Sequence, residues 1–498
     1  MSHACQQNGI NCGSSWIKVL ETNVDGQVVF GSKAVLRQAV LSGSKIRIKL
    51  NNYTSDTQSA SAIGNEVCVQ SLFHISKDGW NKFQRNAYWW FLNLCTTGNV
   101  HMSRWYVGIH RSASETKTKY HITWFVRHLG SDSNRQSPIY CNAQDEGRNC
   151  GKISHLVTAV QNGGEIHVVD PSSGYSIEFS NIAYSSDQTK VAGTHVWSVS
   201  LKNVENYQEF QKDAYWWFTI WSSSGSRDMS RWSIGEHTDR GHNHDALQMD
   251  WFVDPCWTLA YEHDANGQAV DGSLSFLRSA VLAGKRVRLV HNNFAIDVDY
   301  LDVQSTHVTA QVLGQLSKAD LHSFQTKVYW YWQHFATTGR IETVRYSVGS
   351  KESRGNSMGT GRVKWFIDAR PWSHVYSHST TGSHKHGSKQ ELINDVRKGK
   401  MVRFVVRYST LPNTTFSVYN ADNLAISPDG NDVAAQHIRS VSINVERSSE
   451  TVSFQSNPYW YFLIATTTGN IERTRWTVGS HEARGTNNIT ADIDWFTS

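Results

Sequence analysis

The chain has 498 residues and a formal net charge of +5, from 48 Lys and Arg against 43 Asp and Glu. At roughly 100–200 residues per domain this length predicts three to five domains, and a charge so close to balance gives no footprint for nucleic acid or an anionic membrane. With only 7 prolines and an ordinary 35 glycines, disordered, collagen-like and Pro-rich chains are excluded, and no apolar run reaches the ~20 residues of a membrane-spanning helix.

The first residues, Met1-Ser2-His3-Ala4-Cys5, lack the basic and apolar regions of a secretory signal. Cys5 and Cys12 form one close pair in sequence, and Cys141 and Cys150 another. Each pair brackets a stretch with Gly or Asn that can turn back on itself, so two local disulfides and an oxidising, extracellular compartment are expected. The alternative is four free thiols in a cytoplasmic protein.

Trp16, Trp257 and Trp372 each stand fifteen residues before a Gly-Ser pair, at Gly31, Gly272 and Gly387, and a second Gly follows twelve residues later at Gly43, Gly284 and Gly399. A fourth stretch keeps the paired glycines as Gly151 and Gly163 behind a shortened start. Between the glycines, Ser is a fitting N-cap. Leu36, Ala39 and Val40, and again Leu277, Ala280 and Val281, follow helical spacing. The pattern predicts one short amphipathic helix with a Gly stop. Lys45-Ile46-Arg47-Ile48-Lys49-Leu50 then alternates as a half-buried strand does.

The second half of the pattern is strict. Phe-Gln pairs at Phe83, Phe210, Phe324 and Phe454 lead into the aromatic runs that begin at Tyr88, Tyr215, Tyr329 and Tyr459. Ten residues after each Tyr is a Gly, six further an Arg before an aromatic residue, four further a Gly, and sixteen further a Trp-Phe pair. These spacings are the same in all four copies, and chance does not produce that. The final strand puts Ile122, Trp124 and Val126 on one face and His121 and Thr123 on the other. The aromatic run is apolar on both faces, as a covered middle strand requires.

The chain therefore reads as mainly β: four tandem copies of a small antiparallel β-barrel or sandwich module, each with one short helix and about six strands. Boundaries fall at 1–127, 128–254, 255–369 and 370–498. The joins around Pro255 and Pro371 are short, so neighbouring modules should touch. Four separate cores in a row are expected.

No metalloprotease, nucleophile-elbow, P-loop or dinucleotide-binding motif occurs, and no enzyme or cofactor is expected. The carboxylate pairs Asp297/Asp299 and Asp492/Asp494 do not recur between copies and read as solvated strand faces. The repeated polar elements are the candidates for binding. Three copies carry a loop with Arg240, Arg354 or Arg484, joined by His237 and His481. A hairpin needs the glycines of these loops for its turn but not the Arg or His. A repeated site for sugar hydroxyls or an anion is one reading, and loop arginines paired with nearby carboxylates the other. The strand arginines Arg104, Arg231, Arg345 and Arg475 either line a polar groove or make cross-strand ion pairs, as Arg475 can with Asp492 or Asp494. His242/His244 and His384/His386 are two His-x-His runs able to grip a transition metal from one strand face, or simply solvated loops. The repeated Trp residues read chiefly as core, with stacking platforms for flat ligands as the minor use.

These features suit a secreted, multivalent, lectin-like recognition protein whose partners are glycans or glycoproteins. One alternative is a carrier that holds an apolar or chromophoric molecule inside aromatic-lined barrels. Another is a structural or adhesive protein that self-assembles. No nucleic-acid partner and no membrane span are expected.

Overall fold

The computed structural model of the protein describes residues 15–75, 80–82, 88–106, 112–128, 137–142, 150–199, 201–204, 207–211, 215–233, 239–316, 321, 323–325, 328–347, 353–408, 416–441, 443–445, 452–454, 459–477 and 483–498. The protein is mainly β, and the described residues form four short helices, four antiparallel sheets of nine or ten strands and two two-stranded sheets.

The helices are Lys33–Leu41, Ile153–Gln161, Leu274–Leu282 and Lys389–Arg397, at the places that the paired glycines mark. Ser273 and Ser388 cap theirs by accepting from the N–H of Phe276 and Glu391. Leu36 and Val40 face the core, as do Leu277, Ala280 and Val281. The stretch through residue 128 contributes ten strands rather than about six. The additional ones are mostly four- and five-residue pieces on either side of turns, such as Tyr53–Asp56 and Ser59–Ile63, too short for alternation to reveal.

None of the four large sheets is built from one copy. Tyr53–Asp56 of the first copy pairs with Asn423–Ile426 of the fourth. Tyr175–Glu178 of the second pairs with Ser59–Ile63 of the first. Asn181–Tyr184 of the second pairs with Phe294–Asp297 of the third, and Tyr300–Val303 of the third with Phe416–Asn420 of the fourth. Each copy thus places its front strands in one sheet, crosses over, and completes the sheet of a neighbour. The exchange closes on itself, because the last copy pairs with the first. The sheets are thus shared, while each copy keeps a hydrophobic cluster made chiefly of its own residues, wholly so in the first copy. The pattern of polar and apolar residues says that a strand is half-buried, not which sheet receives it.

Two rings of side-chain contacts repeat the closure. In the first, Phe91 meets Trp216 edge-on at 5.0 Å, Phe218 meets Trp330 at 5.2 Å, Trp332 meets Trp460 at 5.3 Å, and Phe462 meets Trp89 at 5.4 Å. Edge-to-face is the arrangement that the charge distribution of aromatic rings favours. In the second ring, each helix-stop glycine lies under the Phe of another copy's final Trp-Phe pair. A Cβ on Gly43, Gly163, Gly284 or Gly399 would come within 2.5–2.8 Å of Phe252, Phe366, Phe496 or Phe125. These glycines also have φ between +66° and +78°, so two constraints converge on the same residues. The Trp of each final pair, Trp124, Trp251, Trp365 and Trp495, is fully buried.

Charges are buried where the copies join. Arg127 of the first copy lies 2.8 Å from Asp254 of the second. Arg370 of the fourth reaches Asp254 at 2.7 Å and Asp368 of the third at 2.6 Å. Glu165 takes Lys45 at 2.6 Å and Arg286 at 3.1 Å, which holds its carboxyl well below the usual range despite burial.

Disulfides join Cys141 to Cys150, as expected, and Cys68 to Cys95, which the sequence did not single out. Cys68 and Cys95 are 27 residues apart but directly opposite on neighbouring strands. Cys5 and Cys12 lie outside the described residues. Cys256 is a buried free thiol. No helix among the described residues is long and apolar enough to cross a membrane.

Burial, with Arg340 nearby, pushes the His334 imidazole down to about 3. Its unfolded value is about 6.5, so the unfolded chain takes up a proton that the fold refuses. The stability this histidine contributes is complete above pH ~6.5 and is lost as pH falls toward 3. Relative to a His334→Asn variant, wild-type stability should therefore fall by about 1.4 kcal/mol per pH unit between pH 6 and 4. Urea melts of both proteins across that range measure the difference. A difference independent of pH would mean that His334 is charged in the fold.

Candidate functional site

A cleft of about 610 Å³ opens where the first copy meets the fourth. The strands Ser15–Thr22, Ile46–Leu50 and Ile122–His128 lie side by side. Their register places Lys18 beside Phe125, and Thr123 between Glu21 and Lys49. Alternation turns these side chains to one face of the sheet while Trp124 enters the core on the other. The C-terminal end of the helix Lys389–Arg397 stands opposite and supplies Arg397, Lys398 and Lys400. Trp16 and Phe125 form the apolar part of the lining and pack with Met401.

Five cations thus line one cleft. Two are committed: Lys18 to Glu21, and Lys400 to Asp395 at 2.9 Å. Among the described residues no carboxylate lies within ion-pairing distance of Lys49, Arg397 or Lys398. Lys49 is half-buried, and its ammonium is pushed below the usual lysine value by burial and then by the charge of Arg397.

The other copies provide an internal comparison. By strand register the position of Lys49 is Val169, Val290 and Val405 elsewhere. The residues that close the other helices are Leu41, Gln161 and Leu282 where the fourth copy has Arg397, and Ser42, Asn162 and Ala283 where it has Lys398. A cation near a helix C-terminus is favourable for that helix alone. Helix stability does not explain why the facing strand also carries Lys49 where other copies carry Val. Like charges gathered from two elements, with an aromatic wall between them, suit an anion.

The residues singled out from sequence are distributed otherwise. Arg240, Arg354 and Arg484 begin edge strands rather than sitting in loops, each as the additional residue of a β-bulge. The next residue, Gly241, Gly355 or Gly485, has φ of +84° to +94°, which explains the glycine. The side chains of these three arginines, and His237 and His481, lie outside the described residues. The strand arginines make cross-strand hydrogen bonds. Arg104 donates to Thr116 at 3.2 Å, Arg231 to Asn243 at 2.6 Å and Arg475 to Asn487 at 2.7 Å, each across to the edge strand. Arg345 hydrogen-bonds Tyr331 on the other side. Arg475 therefore does not pair with Asp492 or Asp494, which take Lys385 and Arg407 instead.

His242 and His244 lie exposed on an edge strand, with His244 3.5 Å from Asp228. His384 bonds the carbonyl of Gly387 at 2.8 Å, while His386 stacks on His374 at 4.6 Å. The one cluster of three metal-ligating side chains among the described residues is Glu165, Glu178 and Asp297, away from both His-x-His runs. Lys45 already bonds Glu165 and Glu178.

Sequence reasoning missed the cleft because its cations are 18, 49 and 397–400 in the chain and recur in no other copy. A search for repeated residues discards them. Comparison with known protein families finds no family model that matches this chain, and comparison with curated proteins finds no match.

Proposed function

We propose that the protein is a non-enzymatic recognition protein that binds an anionic saccharide, sulfated or uronic, in the cleft between the first and fourth copies. The observation that carries this reading is the concentration of unpaired cations at one seam, where the other copies carry neutral residues. A cleft of about 610 Å³ suits a short oligosaccharide. Arg and Lys recognise its charges, and the edges of Trp16 and Phe125 meet its apolar faces.

The test is titration calorimetry with matched sulfated, uronic and neutral oligosaccharides. Binding should be selective for the charged ones and weaken with salt. A combined Lys49→Val, Arg397→Leu, Lys398→Ser variant should bind on the order of 100-fold more weakly. It should also melt at a higher temperature than wild type, because it loses like-charge repulsion and a half-buried ammonium. Equal affinity for neutral and charged sugars, or undiminished binding by the variant, would remove this reading.

A second reading, self-assembly, has its own observation. The edge strand Val28–Gly31 leaves Val28, Val29 and Phe30 exposed, with Ile17 and Val35 beside it, and an apolar edge strand invites pairing with another chain. Sedimentation of wild type against Val29→Lys separates the two. A monomer at all concentrations argues against assembly. The carrier reading has no comparable support, since the rings of the aromatic girdle pack on one another.

A further inference from the structure

The chain crosses from one sheet to the next at residues 57–58, 179–180, 298–299 and 421–422, and a cavity of about 150 Å³ lies among these four crossings. Beside each crossing is one cross-strand pair: Arg47 with Asp56, His167 with Glu178, Arg288 with Asp297, and Arg403 with Asn420. In the first and third copies the acid compensates the arginine, at 2.6 Å and 3.2 Å. In the fourth the acid is replaced by an amide.

Arg403 is left as a cation without an anion. It is 1% exposed. Its Nη1 donates to the carbonyls of Gly284 and Lys285, while its Nε and Nη2 have no partner. The charges acting on it are Arg286, which repels it, and Asp368, and Asp368 is already held by both sides of the Arg370 guanidinium. Burial and Arg286 together bring Arg403 down to about 9. Arg286 also borders the cavity. Its Nη2 donates to Glu165, and its Nη1 is buried without a partner. Five acids line the cavity wall: Asp56 is taken by Arg47, Glu178 by Lys45 and Asp297 by Arg288, Asp422 stands 3.6 Å from His437, and neither Asp422 nor Asp299 is among the charges that act on Arg403. A buried charge without a counter-charge is strongly unfavourable; Arg403 is such a charge, and Arg286, although paired with Glu165, adds a second guanidinium with a free N–H donor at the same small cavity.

We propose that this cavity is a binding site for a small monovalent anion, such as a halide, nitrate or a short carboxylate, held between Arg403 and Arg286. The site is distinct from the seam cleft and does not depend on the saccharide reading.

Asn420→Asp tests it, because that change restores the acid present beside the other arginines and fills the role of the anion. Wild type should melt roughly 2 °C higher in sodium bromide than in sodium gluconate of equal ionic strength, since gluconate is too large for the cavity. Asn420→Asp should melt at the same temperature in both salts. Crystals of wild type soaked in bromide should show an anomalous peak within hydrogen-bonding reach of Arg403, and Arg403→Gln should lose it even if Asn420→Asp does not fold. No peak together with equal melting in both salts would mean that water fills the cavity, and the proposal fails. A peak that persists in the variants would mark an adventitious ion only, and fails it equally.

Discussion

Removal of residues 370–498 should abolish folding rather than leave a stable three-copy fragment. The fourth copy completes two ten-stranded sheets, one with the strands of the third copy and one with those of the first. Without it, Tyr300–Val303 and Tyr53–Asp56 become open edges. Arg47 loses the carbonyl of Gly399 at 2.8 Å, and Phe125 loses the glycine it packs against. Phe462 and Trp460 leave the aromatic ring, exposing Trp89 and Trp332. Open apolar edges and unpaired buried groups both lead to aggregation. Expression of residues 1–369, followed by size-exclusion chromatography and thermal circular dichroism, checks this. A monomeric fragment with a cooperative melt near that of the full chain would show that the copies fold independently and that the exchanged pairing contributes little.

Arg370→Ala should destabilise the protein by about 3–5 kcal/mol, a large loss for one side chain. Arg370 is completely buried. Its Nε and Nη2 donate to Asp368 at 2.6 and 2.7 Å, and its Nη1 to Asp254 at 2.7 Å. Truncation leaves two carboxylates in a site closed to water, with Arg127 as the remaining close cation for Asp254. The cost comes from those stranded charges rather than from the attraction itself. Arg370→Met, Asp368→Leu should accordingly be less harmful than Arg370→Ala alone. Urea denaturation of the three proteins measures both effects. If the double variant is less stable than Arg370→Ala, the two residues do not act as a pair.

Several elements followed from the sequence alone. The helix between the paired glycines, the strand Ile46–Leu50 and the core face of Ile122, Trp124 and Val126 each show as a periodicity within a few residues. Local periodicity is sufficient to specify such features. The glycines stop the helices, as their spacing predicts, but their second task beneath Phe125, Phe252, Phe366 and Phe496 involves residues on distant strands.

Tertiary structure alone decided the rest. Which sheet receives a strand depends on whether the chain turns back after Asp56 or crosses over, and the two residues at 57–58 permit both. Cys68 meets Cys95 only because their strands pair in that register. The seam cleft and Arg403 stayed hidden for a related reason. Both are departures from the repeat, Lys49 in place of Val and Asn420 in place of an acid, and a departure acquires meaning only when its neighbours are known. Repetition in the sequence determined the elements of this protein. Binding, in the reading proposed, depends on where the closed exchange brings unequal copies together, because charges act through space and not along the chain.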